Sequence, residues 1–280
     1  MSNRIEIKKT YKLFINGAFP RSESGRTYEV TSSKGKFIAN PCLASRKDLR
    51  DAVVAARAAH GSWSKATAFN RGQILYRIAE MLEGRRWQFI DEIIAMTSVT
   101  KVKAERELTE SIDRLVWYAG WSDKIASISG STNPVAGPFY NFTIPESIGV
   151  VAAIAPEAPS LLGLINSVAP IITSGNSAIV LASTKAPLSA ISFAEVLATS
   201  DLPAGVINIL TGNKGEISPW MASHMDIDAL DISGLSQEHH ESIKVTGAQN
   251  LKRIHSFKSA SPNRILAFME AKTVWHPIGL

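Results

Sequence analysis

Residues 148–182 read IGVVAAIAPEAPSLLGLINSVAPIITSGNSAIVLA. A β-prone run, Val150–Ala155, gives way to a helical stretch, Leu161–Thr173, and then to a second β-prone run, Ala178–Ala182. The alternation continues downstream, with strands expected at Val206–Leu210, Ala229–Ile232 and Leu251–Ile254. Helical stretches at Leu188–Thr199, Glu216–Ser223 and Gln237–Thr246 separate them. Strands that alternate with helices over short connections form a parallel sheet covered on both faces. Right-handed crossovers make it a doubly wound, Rossmann-like α/β unit. Residues 148–182 are also the most apolar part of the chain. Pro156, Glu157, Pro159, Asn166 and Pro170 interrupt them, so no run is long enough to span a bilayer, and no membrane partner is expected.

Toward the N-terminus the pattern becomes helical. Tyr11–Ile15 followed by Asn16-Gly17 reads as a strand meeting a hairpin-type turn. Ser45-Arg46-Lys47-Asp48 has the form of a capping box, with Asp in place of Glu, and opens a helix that Gly61 is expected to stop. A second helix carries Ile74, Leu75, Ile78 and Leu82 up to Gly84, and a third runs from about Trp87 to Met96. A fourth, from about Val102 to Ala126, aligns Leu108, Ile112, Leu115 and Ala119. These faces are expected to be core, Trp117 and Trp121 included. Between Gly130 and Glu146, Pro134, Gly137 and Pro138 precede Phe139-Tyr140-Asn141-Phe142, an extended hairpin. The tail has a polar stretch, His255–Asn263, and then Ile265–Phe268 leading into the β-prone Lys272-Thr273-Val274-Trp275. A strand at a chain end needs an edge to pair with, and an exposed edge invites another chain.

Composition sets wide bounds. The 280 residues give room for one large or two medium domains, and 45% hydrophobic with 20% charged residues excludes disorder. The net charge of +5 is spread thinly, so no nucleic-acid partner is expected. Cys42 is the only cysteine, which excludes an intramolecular disulfide and a Cys-based zinc site. His239 and His240 are adjacent on a predicted helix and face different sides, so no metal site is expected. The opening residues lack an apolar signal core, and a cytoplasmic location is the expectation.

Several ordered stretches together resemble the aldehyde dehydrogenase superfamily. They are Phe14-Ile15-Asn16-Gly17, Pro138-Phe139-Tyr140, Pro145–Val151, Ala169–Asn176, Pro203–Gly212, Ser223–Asp228, Asn250-Leu251-Lys252-Arg253 and Lys272-Thr273-Val274-Trp275. The resemblance implies a nicotinamide-cofactor domain, a catalytic domain and an oligomerisation arm. It divides this chain into a cofactor-domain-like α/β unit, 1–129 and 149–261, and an arm, 130–148 with 262–280. The family's catalytic domain lies between the Asn-Leu-Lys-Arg strand and the arm strand, and here residues 254–271 are too few to form one. The catalytic domain is therefore expected to be absent, along with its nucleophilic Cys and its general-base Glu.

The matching positions bear on chemistry as well. Ala158 replaces the family's oxyanion Asn, and Leu181-Ala182-Ser183-Thr184 replaces the Lys-Pro-Ser-Glu that grips the adenosine ribose. The family's Gly-x-Gly-x-x-x-Gly, where backbone approaches the pyrophosphate, becomes Gly212-Asn213-Lys214-Gly215-Glu216-Ile217-Ser218, with only the first Gly in register. No cofactor is expected. NAD or NADP, if held, would contact Pro156, Ser183, Gly212, Ser233 and Gly234 at the matching positions. The resulting expectation is a non-catalytic interaction or regulatory subunit, either a homodimer or assembled with a full-length aldehyde dehydrogenase. The alternative is an NAD(P)-dependent aldehyde oxidoreductase acting only with a partner chain that supplies the thiol.

Overall fold

Val150, Ala152 and Ile154 pack into one apolar core while Val151 and Ala153 pack into another, so the pleat of a single strand serves both faces of a sheet. The computed structural model describes residues 7–279. In chain order, β1 (Val30–Thr31) and β2 (Phe37–Ala39) form a small antiparallel ribbon. Five helices follow: α1 (Arg46–Trp63), α2 (Ala68–Glu83), α3 (Arg86–Thr97), α4 (Lys101–Trp121) and the short α5 (Ile125–Ser129). Next come β3 (Ser131–Asn133), β4 (Phe139–Ser147), β5 (Val150–Ile154), α6 (Ser160–Thr173), β6 (Ser177–Leu181), α7 (Leu188–Leu197) and β7 (Ile207–Leu210). The chain continues through α8 (Lys214–Ser223), β8 (Ala229–Asp231), α9 (His240–Ala248), β9 (Arg253–His255), α10 (Asn263–Leu266) and β10 (Met269–Pro277).

Strands β5 to β9 make one parallel sheet in the order β7-β6-β5-β8-β9. The order reverses between β5 and β8, which is the topological switch point of a doubly wound fold. Leu49, Val53 and Ala56 of α1, Ile217 and Met221 of α8 and Ile243 of α9 cover one face. On the other face α6 and α7 pack against the sheet, backed by α2, α3 and α4 through residues such as Ile78, Phe89 and Leu108. A separate three-stranded antiparallel sheet, β10-β4-β3, brings together the two stretches, 130–148 and 262–280, that the resemblance assigns to an arm. Among the described residues no helix is long and apolar enough to cross a membrane.

Local chemistry explains most element ends. Ser45 Oγ accepts the Asp48 N–H at 3.2 Å while Asp48 Oδ2 accepts the Ser45 N–H at 2.8 Å, the reciprocal box expected from the sequence. Asn16 and Gly17 both have positive φ, 53° and 73°, as a two-residue hairpin turn of this type requires. The strand expected before that turn is reduced to two isolated antiparallel bridges, Phe14 to Ile209 at the open edge of β7 and Ile15 to Ala18 across the turn.

Other expectations need correcting. Gly61 does not stop α1, which continues to Trp63; that indole is buried and donates Nε1–H to the Ile172 carbonyl at 3.0 Å, so tertiary packing outweighs the glycine. The fourth helix breaks after Trp121, and Ile125–Ser129 forms a separate turn of helix. Trp117 is exposed at 38%, outside the core, with the Arg114 guanidinium lying over its ring. Ile265 and Leu266 belong to the helical turn α10 rather than leading straight into a strand.

Residues 256–268 join β9 to β10 and are held by a buried ion pair. Arg264 Nη2 meets Asp231 Oδ2 at 2.7 Å, with side chains 5% and 0% exposed. Asp231 Oδ1 also accepts the Ser233 N–H at 2.9 Å, and the Arg264 guanidinium lies over the Phe257 ring. Arg264→Met leaves Asp231 as an unpaired buried charge and should cost about 3–5 kcal/mol. Combining it with Asp231→Asn should recover most of that loss. Urea denaturation of the double-mutant cycle measures it; a single-variant cost under about 1 kcal/mol would mean the pair does not hold the connector.

Candidate functional site

The carboxyl ends of parallel strands are where doubly wound folds place their chemistry, because backbone N–H groups and loop side chains converge there. All five sequence-derived positions lie at that end of the sheet. Pro156 follows β5, Ser183 follows β6, Gly212 follows β7, and Ser233 and Gly234 follow β8. Their contacts point inward to the protein. The Pro156 ring seats on Gly163 of α6, where a Cβ would come within 2.4 Å of Pro156 Cγ. Gly234 donates its N–H to the Ile154 carbonyl at 2.9 Å, and a Cβ there would lie 2.2 Å from the Ala155 carbonyl carbon. Only glycine allows this approach of the loop to β5. Ser233 Oγ bonds to Asp231 Oδ1 and accepts the Phe257 N–H at 2.8 Å. Gly212 accepts Thr184 Oγ1–H at 2.8 Å through its carbonyl.

Two residues outside that set dominate the site. Lys214, 11% exposed, stands where the resemblance puts the second pyrophosphate-loop glycine. Its ammonium reaches Glu157 Oε1 at 2.6 Å, the Ala155 carbonyl at 2.6 Å and the Gly234 carbonyl at 3.2 Å. A lysine has three N–H donors, and all three are used. Glu157 Oε2 accepts Ser183 Oγ–H at 2.8 Å and the Lys185 N–H at 3.0 Å. The network bridges the ends of β5, β6 and β8 across the switch point. Burial pushes the Glu157 carboxyl up, but Lys214, the Lys185 N–H and Ser183 together hold it below its ordinary value. Burial also pulls the Lys214 ammonium down, and Glu157 offsets only part of that. Lys214 was legible as a lost glycine, but its partnership with Glu157 across 57 residues was not.

The residues present do not fit a dinucleotide placed as the resemblance would place it. The space that two glycines would open is filled by a braced lysine. Leu181, standing for a ribose-binding Lys, is fully buried in the core. The neighbouring helix end carries the wrong charge for an oxyanion. Ala158 offers no donor, and the Leu161 N–H at the start of α6 already donates to Glu107 Oε1 of α4 at 2.8 Å. Burial pushes the Glu107 carboxyl up, and the N–H bonds from Leu161 and Leu162 oppose it. Cys42 is 4% exposed and packed in the core beneath α1. Among the described residues no group of three His, Cys, Asp or Glu side chains gathers to hold a metal.

Comparison with known proteins agrees with this geometry at the level of fold and ancestry. The family model described as "Aldehyde dehydrogenase family" matches residues 19–269. The chain is 32% identical over 260 residues to the human mitochondrial 10-formyltetrahydrofolate dehydrogenase, covering 90% of this chain and 28% of that protein. It is 34% identical over 273 residues to retinal dehydrogenase 2 of Gallus gallus, covering 94% and 51% respectively. An NAD+ complex of aldehyde dehydrogenase from Bacillus cereus superposes with a TM-score of 0.82 at 26% identity, over 88% of this chain and 50% of that one. The chain spans about half the length, or less, of these relatives.

The Glu157 carboxyl gives a pH test. A carboxyl held below its unfolded value adds stability above the ordinary glutamate range, about pH 4.3, and loses it as pH falls through the folded value. Wild type should therefore be more stable than Glu157→Gln at pH 7, with the gap beginning to narrow near about pH 4.3 and closing below it as the folded value is passed. Urea midpoints followed by circular dichroism read this. A gap independent of pH would show that the carboxylate charge is not what the network uses.

Proposed function

This chain belongs to the aldehyde dehydrogenase family, and from that premise we propose that it is a non-catalytic member acting as an interaction or regulatory subunit. It assembles through its arm, as a homodimer or with a full-length aldehyde dehydrogenase. The observation that carries this reading is the β10 ladder. Nine residues, Met269–Pro277, pair in unbroken antiparallel register with Phe139–Ser147. Among the described residues β10 is the edge of its sheet, so alternate N–H and C=O groups along it face outward with no strand partner there. The aromatics beside it do not cover this chain's own core: Phe139 is 40% exposed, Tyr140 47% and Trp275 58%. Phe139 and Trp275 pack edge to face across the ladder, 5.7 Å between ring centroids, which presents a rigid aromatic surface. Aromatic residues are enriched in interfaces.

A non-catalytic role rests on three further features. The only thiol is buried, the N–H donors of α6 are engaged by Glu107, and Lys214 fills the cofactor crevice. The rival reading, an oxidoreductase whose thiol comes from a partner, needs NAD(P) in that crevice, and the braced lysine opposes it. An NADH fluorescence titration is expected to show no saturable binding below about 1 mM; saturation in the micromolar range would favour the oxidoreductase.

Assembly is tested by native mass spectrometry of the tagged protein purified from its own cells. The wild type should carry a second copy or a longer aldehyde dehydrogenase. Trp275→Lys, which places a charge on the edge strand while leaving the β4 ladder in place, should shift the protein to monomer. Deletion of residues 269–280 should do the same. Unchanged mass in both variants would sink the assembly reading.

A further inference from the structure

A cavity of about 500 Å³ lies in a groove between α1 and α8 and shares no residue with the crevice at the strand ends. That volume lies within the range of small-molecule sites. Its floor is apolar, formed by Leu49 of α1 and the indole of Trp220 on α8. Its rim is cationic, with Arg46 and Lys47 in the first turn of α1 and Arg50 one turn further on. Two of these have exposed partners: Lys47 lies 3.7 Å from Glu23 and Arg50 3.2 Å from Asp51. Among the described residues Arg46 makes no ion pair.

The wall on this side is fixed before any ligand arrives. Asp48, 4% exposed, accepts Ser22 Oγ–H at 2.7 Å, the Glu23 N–H at 3.1 Å and the Ser45 N–H at 2.8 Å, which ties the 22–24 loop to the first turn of α1. Glu23, the one acid in the lining, is committed to Ser45 Oγ–H at 3.1 Å as well as to Lys47. A preformed wall reduces the ordering cost of binding. At the far end His224 Nδ1 accepts the Asp226 N–H at 3.2 Å, so the neutral ring carries its proton on Nε2 as a donor. Burial pushes this imidazole below its ordinary value; Asp226 opposes that, and Lys252 and Arg46 add to it.

A ring-sized apolar floor beside three cations points to one ligand chemistry. We propose that this groove binds a small aromatic phosphate, its ring against Trp220 and Leu49 and its phosphate among Arg46, Lys47 and Arg50. A phosphate monoester has charge near −2 and three acceptor oxygens, which suits three cationic side chains better than a single carboxylate does. The inference does not depend on the assembly reading.

Isothermal titration of the full chain at low salt with 1-naphthyl phosphate tests it. Saturable binding is expected, with 1-naphthol and inorganic phosphate each at least about tenfold weaker because each lacks one half of the match. Arg46→Glu, on an exposed turn, should raise the Kd by about tenfold or more. Trp220→Leu should weaken the ring half, but Trp220 packs against the core, so Arg46→Glu is the deciding variant. Three outcomes overturn the proposal: no heat up to about 5 mM ligand, a Kd unmoved by Arg46→Glu, or inorganic phosphate binding as tightly as the ester.

Discussion

A guanidinium and a carboxylate that are both nearly devoid of solvent exposure must have each other. Arg264 and Asp231 are in that position, and much of the molecule's shape follows from it. Desolvating two charges costs several kcal/mol, roughly balanced by their attraction, so the pair adds little net stability. Its force is conditional: with one member present, the other cannot leave. The connector 256–268 is thereby pinned across the end of β8, and Phe268 is seated in the larger core. Asn176 secures the next step, donating Nδ2–H to the Phe268 carbonyl at 2.6 Å and accepting the Gly149 N–H at 2.7 Å. One buried amide therefore roots both long arm strands, β4 just before Gly149 and β10 just after Phe268. Register along the nine-residue ladder is set at this root.

The same logic governs the opposite use of a buried charge at the switch point. Lys214 and Glu157 are less deeply enclosed than Arg264 and Asp231, and their net worth is correspondingly discounted by solvent. Their importance lies in what they fill. Each lysine donor is spent on a group that terminates a strand or a strand-following loop, so the crevice is closed by the protein's own atoms. A ligand entering there would have to break an ion pair and strand two carbonyls, whereas a pyrophosphate loop built of glycines offers free N–H groups instead. Closure at this point and the tight seat of Gly234 on Ala155 reinforce each other.

How much of this was legible in the sequence follows from the range of each interaction. The α/β unit was readable because period and length are local: all five strands and the helices between them appear within a few residues of expectation. The capping box at Ser45 and the Asn16-Gly17 turn were readable for the same reason. Errors arose where a distant contact decided. Gly61 reads as a stop only until Trp63 finds the Ile172 carbonyl, more than a hundred residues away. Trp117 reads as core on its helix stripe, yet its position on α4 leaves it exposed. Asp231 interrupts an apolar strand, and nothing local reveals that Arg264 will meet it. At the candidate site the five matched positions did converge on the strand ends, but the residues that define the site, Lys214 and Glu157, are joined only by the fold.

These two ends of the structure argue in the same direction. A binding surface needs groups whose hydrogen bonds and apolar area are still available, and the strand-end crevice has almost none left. The outer edge of β10 has a row of them, alongside Trp275 and Tyr140. Edge strands of this kind are ordinarily blunted by charge, proline or a short length. Here Lys272 is drawn back toward Glu146 at 3.1 Å, and the only proline comes at the very end of the strand, Pro277. An edge nine residues long that keeps its aromatics exposed is a hazard for a solitary chain and an asset for one that is covered. On the subunit reading proposed above, a strand of matching register would cover that edge, and the network rooted at Asn176 would hold it rigid from behind.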